Sequence, residues 1–245
     1  MNLKLQLNFI LRRYLCPPPS QENAVFPLGF DFAKKWDYEN GFYLTSATSR
    51  LAKSIAHYEL YKKIVNIPGD IVECGVFKGA SLIRFATYRE MLESQYSRKI
   101  IGFDAFGKFP TTVTLSSDKQ FIEKFERESG EGISQEALED VMRCKGLVNI
   151  QLIKGNILDT LPDFIAKSAV KIALLHLDLD VYEATKACLD CLYDKMVTGG
   201  VIVFDDYGTV DGATKAIDEL LQSQGKRPVI QKLPYNYIPA YVIKD

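Results

Sequence analysis

Histidine and tryptophan are scarce in this chain of 245 residues, which contains two histidines, one tryptophan and five cysteines. With two histidines there is no histidine cluster, and Cys188-x-x-Cys191 is the only cysteine pair spaced like half of a zinc site or a redox couple. No second pair completes such a site, and this pair lies within a helical pattern. The two cysteines are therefore predicted to be small buried apolar residues, and reduced thiols are typical of a cytoplasmic protein.

An excess of basic charge and a long apolar run are also lacking. The chain has 30 basic and 31 acidic side chains, so it lacks the positive surface of a nucleic-acid-binding protein. The apolar N-terminal stretch is short and interrupted by Lys4 and Asn8, so we expect neither a signal peptide nor stable insertion into a membrane. A helix on the membrane surface stays an alternative. We favour a helix that packs on its own domain or on a second subunit, and hence a homodimer or higher homo-oligomer.

We predict an N-terminal arm or lid, 1–45, followed by one larger domain, 46–245. The segment 24–43 is rich in aromatic residues but has no clean period, so it is predicted to be irregular. A polar stretch, 107–147, is too long for a simple connection and is interpreted as a helical insertion that serves as a lid over the sheet. The arm around Trp36 and Tyr38 and this insertion are expected to select the substrate.

Between these segments, apolar strands alternate with helical patterns. The predicted strands are 70–74, 99–104, 149–155, 171–178 and 201–206, followed by a hairpin of 228–233 and 239–244. The predicted helices are 49–65, 80–92, 118–129, 134–145, 162–168, 182–196 and 211–223. This alternation predicts an α/β fold: a doubly wound, Rossmann-like, mainly parallel seven-stranded sheet with a C-terminal antiparallel hairpin. Ligands bind beyond the carboxyl ends of the strands in such sheets.

A glycine-containing turn follows the first strand. It runs from Glu73 to Ser81 and lacks the G-x-G-x-x-G fingerprint of dinucleotide-binding proteins. It has instead the acid-x-Gly-x-x-x-Gly pattern of class I methyltransferases, in which Gly75 and Gly79 allow a sharp turn and close approach of a ligand. Glu73 and both glycines are therefore candidate S-adenosylmethionine-binding residues. Ser81 is a candidate for the methionine carboxylate or, alternatively, a helix cap.

Two more polar residues end strands beside this loop. Asp104 ends the second strand, where its carboxylate can accept hydrogen bonds from the ribose hydroxyls or can cap a turn. Asn156 follows the third strand and is a candidate for the adenine edge or a turn residue. Both are predicted to bind the cofactor.

Four aspartates follow the fourth and fifth strands, in the segments HLDLDVYEAT and VIVFDDYG. The two strands are expected to be neighbours, which brings Asp178, Asp205 and Asp206 together. Unpaired carboxylates a few ångströms apart repel one another and raise one another's pKa. A hard divalent cation such as Mg²⁺ removes this repulsion. Solvated turn acids are the alternative. We predict a magnesium site.

Five segments together resemble the macrocin O-methyltransferase family of sugar O-methyltransferases: DIVECGVFKGAS, IIGFDAFGKFP, GNILDTLP, LLHLDLDVYEAT and GGVIVFDDYG. The resemblance covers roughly 41–225. It implies S-adenosylmethionine, Mg²⁺, metal ligation by Asp178, Asp205 and Asp206, and a deoxysugar hydroxyl as acceptor, on a nucleotide sugar or a glycosylated metabolite. The family often has Arg where His176 stands and Gly where Leu179 stands, so the identity of the acceptor stays open.

The proton acceptor is predicted to be Asp178, which would serve as metal ligand and as base. Related catechol-type enzymes have a lysine where this chain has Val181, and His176 is more typical of a buried core residue. Three alternatives are left open: methylation of a phenol or another diol, a nucleotide-dependent oxidoreductase, and a nucleotide-binding protein without catalysis. The lack of G-x-G-x-x-G and the presence of three aspartates argue against the last two.

Overall fold

The computed structural model describes residues 27–224, 228–236 and 238–245. Their strands are β1 Asp70–Cys74, β2 Ile100–Asp104, β3 Ile150–Lys154, β4 Ile172–Leu177, β5 Met196–Phe204, β6 Gln231–Lys232 and β7 Ala240–Ile243. Their α-helices are α1 Lys35–Thr45, α2 Thr48–Ile64, α3 Ala80–Leu92, α4 Ser116–Ser129, α5 Gln135–Lys145, α6 Ile157–Lys167, α7 Tyr182–Leu192 and α8 Asp211–Ser223. The predicted alternation of strands and helices is confirmed.

The seven strands form one sheet in the order β3-β2-β1-β4-β5-β7-β6. The first five are parallel, and β7 is antiparallel to both β5 and β6. The hairpin therefore completes the sheet by placing its second strand, not its first, against β5. Because the chain reverses its direction of winding at β1, the carboxyl ends of β1 and β4 border a crevice where ligands bind in such folds.

Both faces of the sheet are covered by helices, which explains the nearly continuous apolar sequence of the central strands. On one face, Ile71, Leu174 and Val203 pack with side chains of α2, α3 and α5. On the other face, Val72 and Leu175 pack with side chains of α6, α7 and α8. Side chains alternate between the faces, so that residues 73, 176 and 205 share the face covered by α2 and α3.

Several predicted boundaries are wrong. The strand β5 begins at Met196, five residues before the predicted start, because the register shifts along β4 and a bulge absorbs the extra residues. The predicted helix 182–196 ends at Leu192 and continues only as a short 3-10 turn. The helix predicted at 162–168 begins at Ile157, since the Asn156 side chain caps its first turn.

The arm also differs from its prediction, since 35–45 is a helix and not an irregular segment. None of its residues is buried, so its aromatic side chains do not have to follow a helical period. The described residues contain no helix with the length and apolar character needed to cross a membrane. The N-terminal part of the predicted arm, 1–26, lies outside the described residues.

The insertion forms the two predicted helices, α4 and α5, but α5 is part of the core. Its Leu138 is buried against the α3 side of the sheet and lies directly over Gly79. The helix α4 is tied to the body by Asp118, whose carboxylate accepts a hydrogen bond from the backbone N–H of Tyr182 at 2.8 Å. Asp118 thereby caps α7, because Val181 at the N-cap offers no side-chain acceptor.

Candidate active site

A cleft of about 460 Å³ opens at the carboxyl ends of the parallel strands. Its walls include Gly75, Asp104 and Asn156 from the predicted cofactor site and all three predicted metal ligands, Asp178, Asp205 and Asp206. A volume of this size suits a small-molecule site. The two halves of the site, which are far apart in sequence, therefore share one cavity.

The loop after β1 lies directly against the end of β4. Gly75 has a φ of 90°, and a Cβ at this position would lie 2.7 Å from the carbonyl carbon of Asp178 and closer still to its oxygen. Only glycine fits there, because both the backbone conformation and the close approach exclude a side chain. Gly75 thus sets the separation between the loop after β1 and Asp178, which follows β4 directly.

Asp104 holds this loop in place. Its Oδ2 accepts hydrogen bonds from the backbone N–H groups of Val76 (2.7 Å) and Phe77 (2.9 Å), and its Oδ1 accepts from Phe106 (2.6 Å). A carboxylate offers about four acceptor positions, so three of them are already used. The structure thus shows the turn-capping role, and hydrogen bonding of Asp104 to the ribose hydroxyls stays a prediction.

Asn156 also has a structural role. Its side-chain oxygen accepts from the backbone N–H of Leu158 at 3.1 Å, and its amide donates to Thr112 at 3.2 Å. The residue lines the cleft, but its side chain is committed to capping α6 and to holding the insertion. Its role toward adenine stays a prediction.

Three other predicted cofactor residues, Glu73, Gly79 and Ser81, lie behind the loop and do not line the cleft. Glu73 is fully buried, and its Oε1 accepts a short hydrogen bond from the Ser81 hydroxyl. This bond joins the end of β1 to the first turn of α3 and so fixes both ends of the loop. The structure thus shows how these residues hold the loop after β1, and their contact with a cofactor stays a prediction.

Asp178, Asp205 and Asp206 each present a carboxylate oxygen within 4.8 Å of the other two. The ammonium of Lys53, which extends from α2, forms a short ion pair with Asp205 and lies 3.9 Å from Asp178. Sequence reasoning missed Lys53, because no local motif links it to aspartates that come more than a hundred residues later. Only the position of Lys53 on α2, the helix that covers the face of the sheet shared by Asp205, could have suggested its role.

The carboxylates have different electrostatic environments. Burial and the charges of Asp205 and Asp206 raise the pKa of Asp178 well above its usual range, and burial with the charges of Asp180 and Asp205 does the same to the pKa of Asp206. Burial also acts to raise the pKa of Asp205. There the imidazole N–H groups of His176 and His57 and the Lys53 ammonium prevail and hold its pKa well below the usual range.

A second set of atoms close enough to hold a metal consists of His57 Nε2, His176 Nε2 and Asp205 Oδ1, all buried. The neighbour of His57 argues against a metal here. The Arg84 guanidinium lies 2.9 Å from His57 Nδ1 and can only donate, so a neutral His57 carries its proton on Nε2. That N–H points toward Asp205, 3.7 Å away, and is unavailable to a metal.

The chain around the cleft contains three non-glycine residues with positive φ: Phe77 at 51°, Phe106 at 53° and Asp180 at 63°. Such conformations are costly and are concentrated at ligand sites. The Asp180 conformation directs its backbone N–H to Asp206 Oδ2 at 3.0 Å and so orients one of the predicted ligands.

Part of the cleft wall is aromatic. Phe125 of the insertion contacts the rings of Phe77, Phe109 and Phe121, with centroids 5.2 to 5.8 Å apart. All four rings line the cleft. Trp36 and Tyr38 do not belong to this wall as the structure describes it, and both are exposed.

The sheet order and the cleft define the fold of class I methyltransferases. The structure resembles that of CalS11, a calicheamicin methyltransferase, with a TM-score of 0.67 and 23% identity over 99% of this chain and 93% of that one. It also resembles the O-methyltransferase NovP, with a TM-score of 0.68 and 23% identity over 78% of each chain. The predicted fold class is confirmed.

The family model of the macrocin-O-methyltransferases (TylF) matches 50–235, and this chain belongs to that family. It is 29% identical over 160 residues to demethyldecarbamoylnovobiocin O-methyltransferase of Streptomyces niveus. It is 28% identical over 159 residues to 8-demethyl-8-(2,3-dimethoxy-alpha-L-rhamnosyl)-tetracenomycin-C 4'-O-methyltransferase of Streptomyces olivaceus. These matches cover 63% and 62% of this chain, and the chain spans 58% of the length of each relative.

Proposed function

We propose that this protein is an S-adenosylmethionine-dependent O-methyltransferase that methylates a deoxysugar hydroxyl with the help of Mg²⁺. The observation that carries the proposal is the single cleft that joins the glycine loop to the three aspartates. Family membership supports the reaction, and the rhamnosyl group in the name of one relative supports a sugar acceptor. A nucleotide sugar and a glycosylated metabolite are both compatible with the open cleft.

The residues present fit a hard divalent cation. Three carboxylate oxygens converge, and the Lys53 ammonium already lies against two of the carboxylates, as a positive charge does in a cation site. We propose Asp178, Asp205 and Asp206 as the ligands. When bound, Mg²⁺ would lower the pKa of an acceptor hydroxyl and hold its oxygen in place.

In this proposal Asp178 also accepts the proton from the acceptor hydroxyl. Asp178 is about one third exposed at the cleft, whereas Asp205 is buried and lies against Lys53 and the two histidines. Of the two, Asp178 is therefore the one that an acceptor can reach.

The cofactor would lie along the loop from Gly75 to Gly79, with one ribose hydroxyl at Asp104. S-adenosylmethionine supplies the methyl group. Phe125 and the three phenylalanines around it provide an apolar wall that suits the ring of a sugar or of adenine. Three of the four, Phe109, Phe121 and Phe125, come from the insertion, which supports its predicted role in substrate selection.

A methyl-transfer assay tests this proposal. The purified protein is incubated with S-adenosylmethionine and Mg²⁺ and with a panel of nucleotide deoxysugars, rhamnosylated metabolites and catechols. We expect a mass gain of one methyl group on a sugar acceptor and none on the catechols. Methylation of the catechols alone would contradict the sugar specificity, and failure to bind S-adenosylmethionine in a calorimetric titration would contradict the proposed reaction.

Mg²⁺ is expected to raise the melting temperature by about 5 °C at a concentration about 100 times its Kd, and to do so near pH 7.5 but not near pH 5. The folded-state pKa values of Asp178 and Asp206 are raised, so these residues cost the metal-free protein stability as the pH rises above about 4. Mg²⁺ removes this repulsion only where the carboxylates are ionised.

Differential scanning fluorimetry at the two pH values, with NaCl of equal ionic strength as a reference, measures the effect. Asp206→Asn is expected to abolish the gain. Asp163→Asn, a change of the same chemistry at an exposed position on α6, is expected to keep it. An equal gain in both variants would show that Mg²⁺ acts elsewhere.

We also propose that the protein forms a homo-oligomer through residues 28–44. This segment exposes seven large apolar side chains, more than half of those exposed in the described chain: Leu28, Phe30, Trp36, Tyr38, Phe42, Tyr43 and Leu44. Exposed apolar patches of this kind mark contact surfaces. Light scattering after size exclusion is expected to give at least twice the chain mass of 27.7 kDa, and Phe42→Glu with Leu44→Glu is expected to reduce it to the monomer. A monomeric wild type would contradict this.

A further inference from the structure

Two carboxylates join the insertion to α7 in opposite directions. Asp118, in the first turn of α4, accepts a hydrogen bond from the backbone N–H of Tyr182, the first residue of α7, at 2.8 Å. Glu183, the second residue of α7, accepts one from the backbone N–H of Thr114 at 2.8 Å and a shorter one from the Thr114 hydroxyl. Each carboxylate thus bonds the segment that carries the other, and we call this pair of contacts the clasp.

Asp118 is the buried half of the clasp. Of the 14 residues of α4, all of them described, only Asp118 is buried. Acidic side chains are seldom fully buried unless they are paired or hydrogen-bonded, and here the backbone N–H of Tyr182 supplies the bond. Because α4 has no fully buried apolar side chain, its position on the body of the domain depends on this polar contact.

The helix α8 leaves room for this carboxylate. Gly212, the second residue of α8, lies directly against it, and a Cβ at Gly212 would be 2.6 Å from Asp118 Cγ and closer still to both carboxylate oxygens. The Gly212 backbone does not have a positive φ, so alanine suits the helix and only the Asp118 carboxylate excludes it. The lack of a side chain at position 212 is therefore part of the way in which Asp118 reaches Tyr182.

The clasp joins two parts of the cleft wall. On the insertion side, α4 carries Phe121 and Phe125 of the aromatic part of the wall. On the other side, α7 begins at Tyr182, four residues after Asp178, and the loop between them also lines the cleft. The clasp therefore sets the distance between the aromatic part of the wall and the proposed base.

We propose that Asp118 and Glu183 are positioning residues for the acceptor, because the clasp holds the aromatic part of the wall at a fixed distance from Asp178. This inference rests on the proposed function and concerns the acceptor half of the site. Neither residue contacts a reacting atom in this scheme, since both act through the segments that they join. The insertion is then a fixed cover of the cleft and does not have to close on the acceptor.

The kinetic test uses the sugar acceptor with the largest mass gain in the panel above. In Asp118→Ala we expect the KM for this acceptor to rise about tenfold or more, while kcat stays within about threefold of the wild type. The wall contributes binding that substrate and transition state share, and Asp178 keeps its place after β4. The Kd of S-adenosylhomocysteine, measured by calorimetry, is expected to stay within about twofold, because the loop after β1 does not take part in the clasp.

Matched variants separate positioning from a general loss of structure. Asp118→Asn keeps an oxygen for the Tyr182 N–H, so its KM is expected to stay within about threefold of the wild type. Gly212→Ala removes no polar group but pushes the carboxylate aside, so it is expected to raise the KM as Asp118→Ala does. Asp140→Ala is the control in the same insertion, since Asp140 pairs with Arg143 of its own helix. Equal KM values in Asp118→Ala and Asp140→Ala would overturn the proposal.

Hydrogen exchange followed by mass spectrometry tests the fixed position of α4 directly. In the wild type we expect its backbone amides to exchange within about threefold of the same rate with and without S-adenosylhomocysteine and the acceptor. In Asp118→Ala and in Glu183→Ala we expect them to exchange about tenfold faster. Slowing by about tenfold or more when the acceptor binds to the wild type would show a closing lid and would overturn the proposal.

The clasp and the proposed function fail in different ways. A wild type that methylates a sugar, with an unchanged KM in Asp118→Ala, contradicts the clasp and leaves the proposed function intact. A wild type that binds no S-adenosylhomocysteine or methylates no sugar contradicts the proposed function, and this inference with it. If Asp118→Ala does not fold, as judged by circular dichroism, the KM of Glu183→Ala and the exchange rates of the wild type decide.

Discussion

Asp178→Asn is expected to lower kcat for methyl transfer by about a thousandfold while leaving S-adenosylmethionine affinity within about twofold of the wild type. The change removes the proposed base and one of three metal ligands, but it leaves the backbone contact with Gly75 in place. The amide is nearly the same size as the carboxylate, so the fold is expected to survive. Single-turnover kinetics and a calorimetric titration measure the two quantities.

Asp180→Asn is the control for this substitution. It removes the same charge two residues further on, and asparagine tolerates the φ of 63° that directs the backbone N–H to Asp206. Its kcat is expected to stay within about tenfold of the wild type, since its side chain has neither proposed role. Equal losses in the two variants would show that kcat responds to the total negative charge and not to Asp178.

Ligand and base roles can be separated by adding metal. If Asp178 acted only as a ligand, a higher Mg²⁺ concentration would restore most of the activity of Asp178→Asn. A proton acceptor cannot be replaced in this way. We expect kcat at saturating Mg²⁺ to stay at least about a hundredfold below that of the wild type.

Gly75→Ala is expected to lower the free energy of unfolding by about 4 kcal/mol or more, a large part of the stability of an ordinary domain. The added Cβ would meet the backbone of Asp178, which cannot move aside as the end of a flexible side chain could. The φ of 90° adds strain for any L-residue. Urea denaturation followed by circular dichroism measures the change.

Gly107→Ala provides the comparison on the same cleft. A Cβ there meets nothing within 4 Å, and the backbone does not have the positive φ that favours glycine. Its free energy of unfolding is expected to stay within about 0.5 kcal/mol of the wild type. A loss of less than about 1 kcal/mol in Gly75→Ala would contradict the close packing of this loop on β4.

Strand periodicity is the feature that the sequence reveals most clearly. Apolar runs that end in acids located β1, β2, β4 and β5, and the rule that parallel strands end at one edge brought Asp178 together with Asp205 and Asp206. The predicted start of β5 was wrong because a bulge leaves no sign in the apolar pattern. The helix in the arm was missed because it buries no residue and so has no period to detect.

The surroundings of the site could not be read from local patterns. Lys53 and His57 reach the aspartates from α2, and nothing within a few residues of them distinguishes them from other helical residues. For Asp104, the position at the end of β2 was predicted from the sequence. The three backbone N–H groups that donate to its carboxylate were not. Loop conformations such as the positive φ of Phe77 decide these contacts, and a single sequence does not encode them in a recognisable form.

The close packing of Gly75 against Asp178 also bears on the accuracy of the proposed reaction. In-line transfer requires the attacking oxygen and the methyl carbon to approach within a narrow tolerance, and an error of about 1 Å costs about a hundredfold in rate. Here the surfaces that would hold donor and acceptor are adjacent strands in direct backbone contact. In the proposed reaction, the packing of β1 against β4 would therefore set the distance between methyl donor and acceptor.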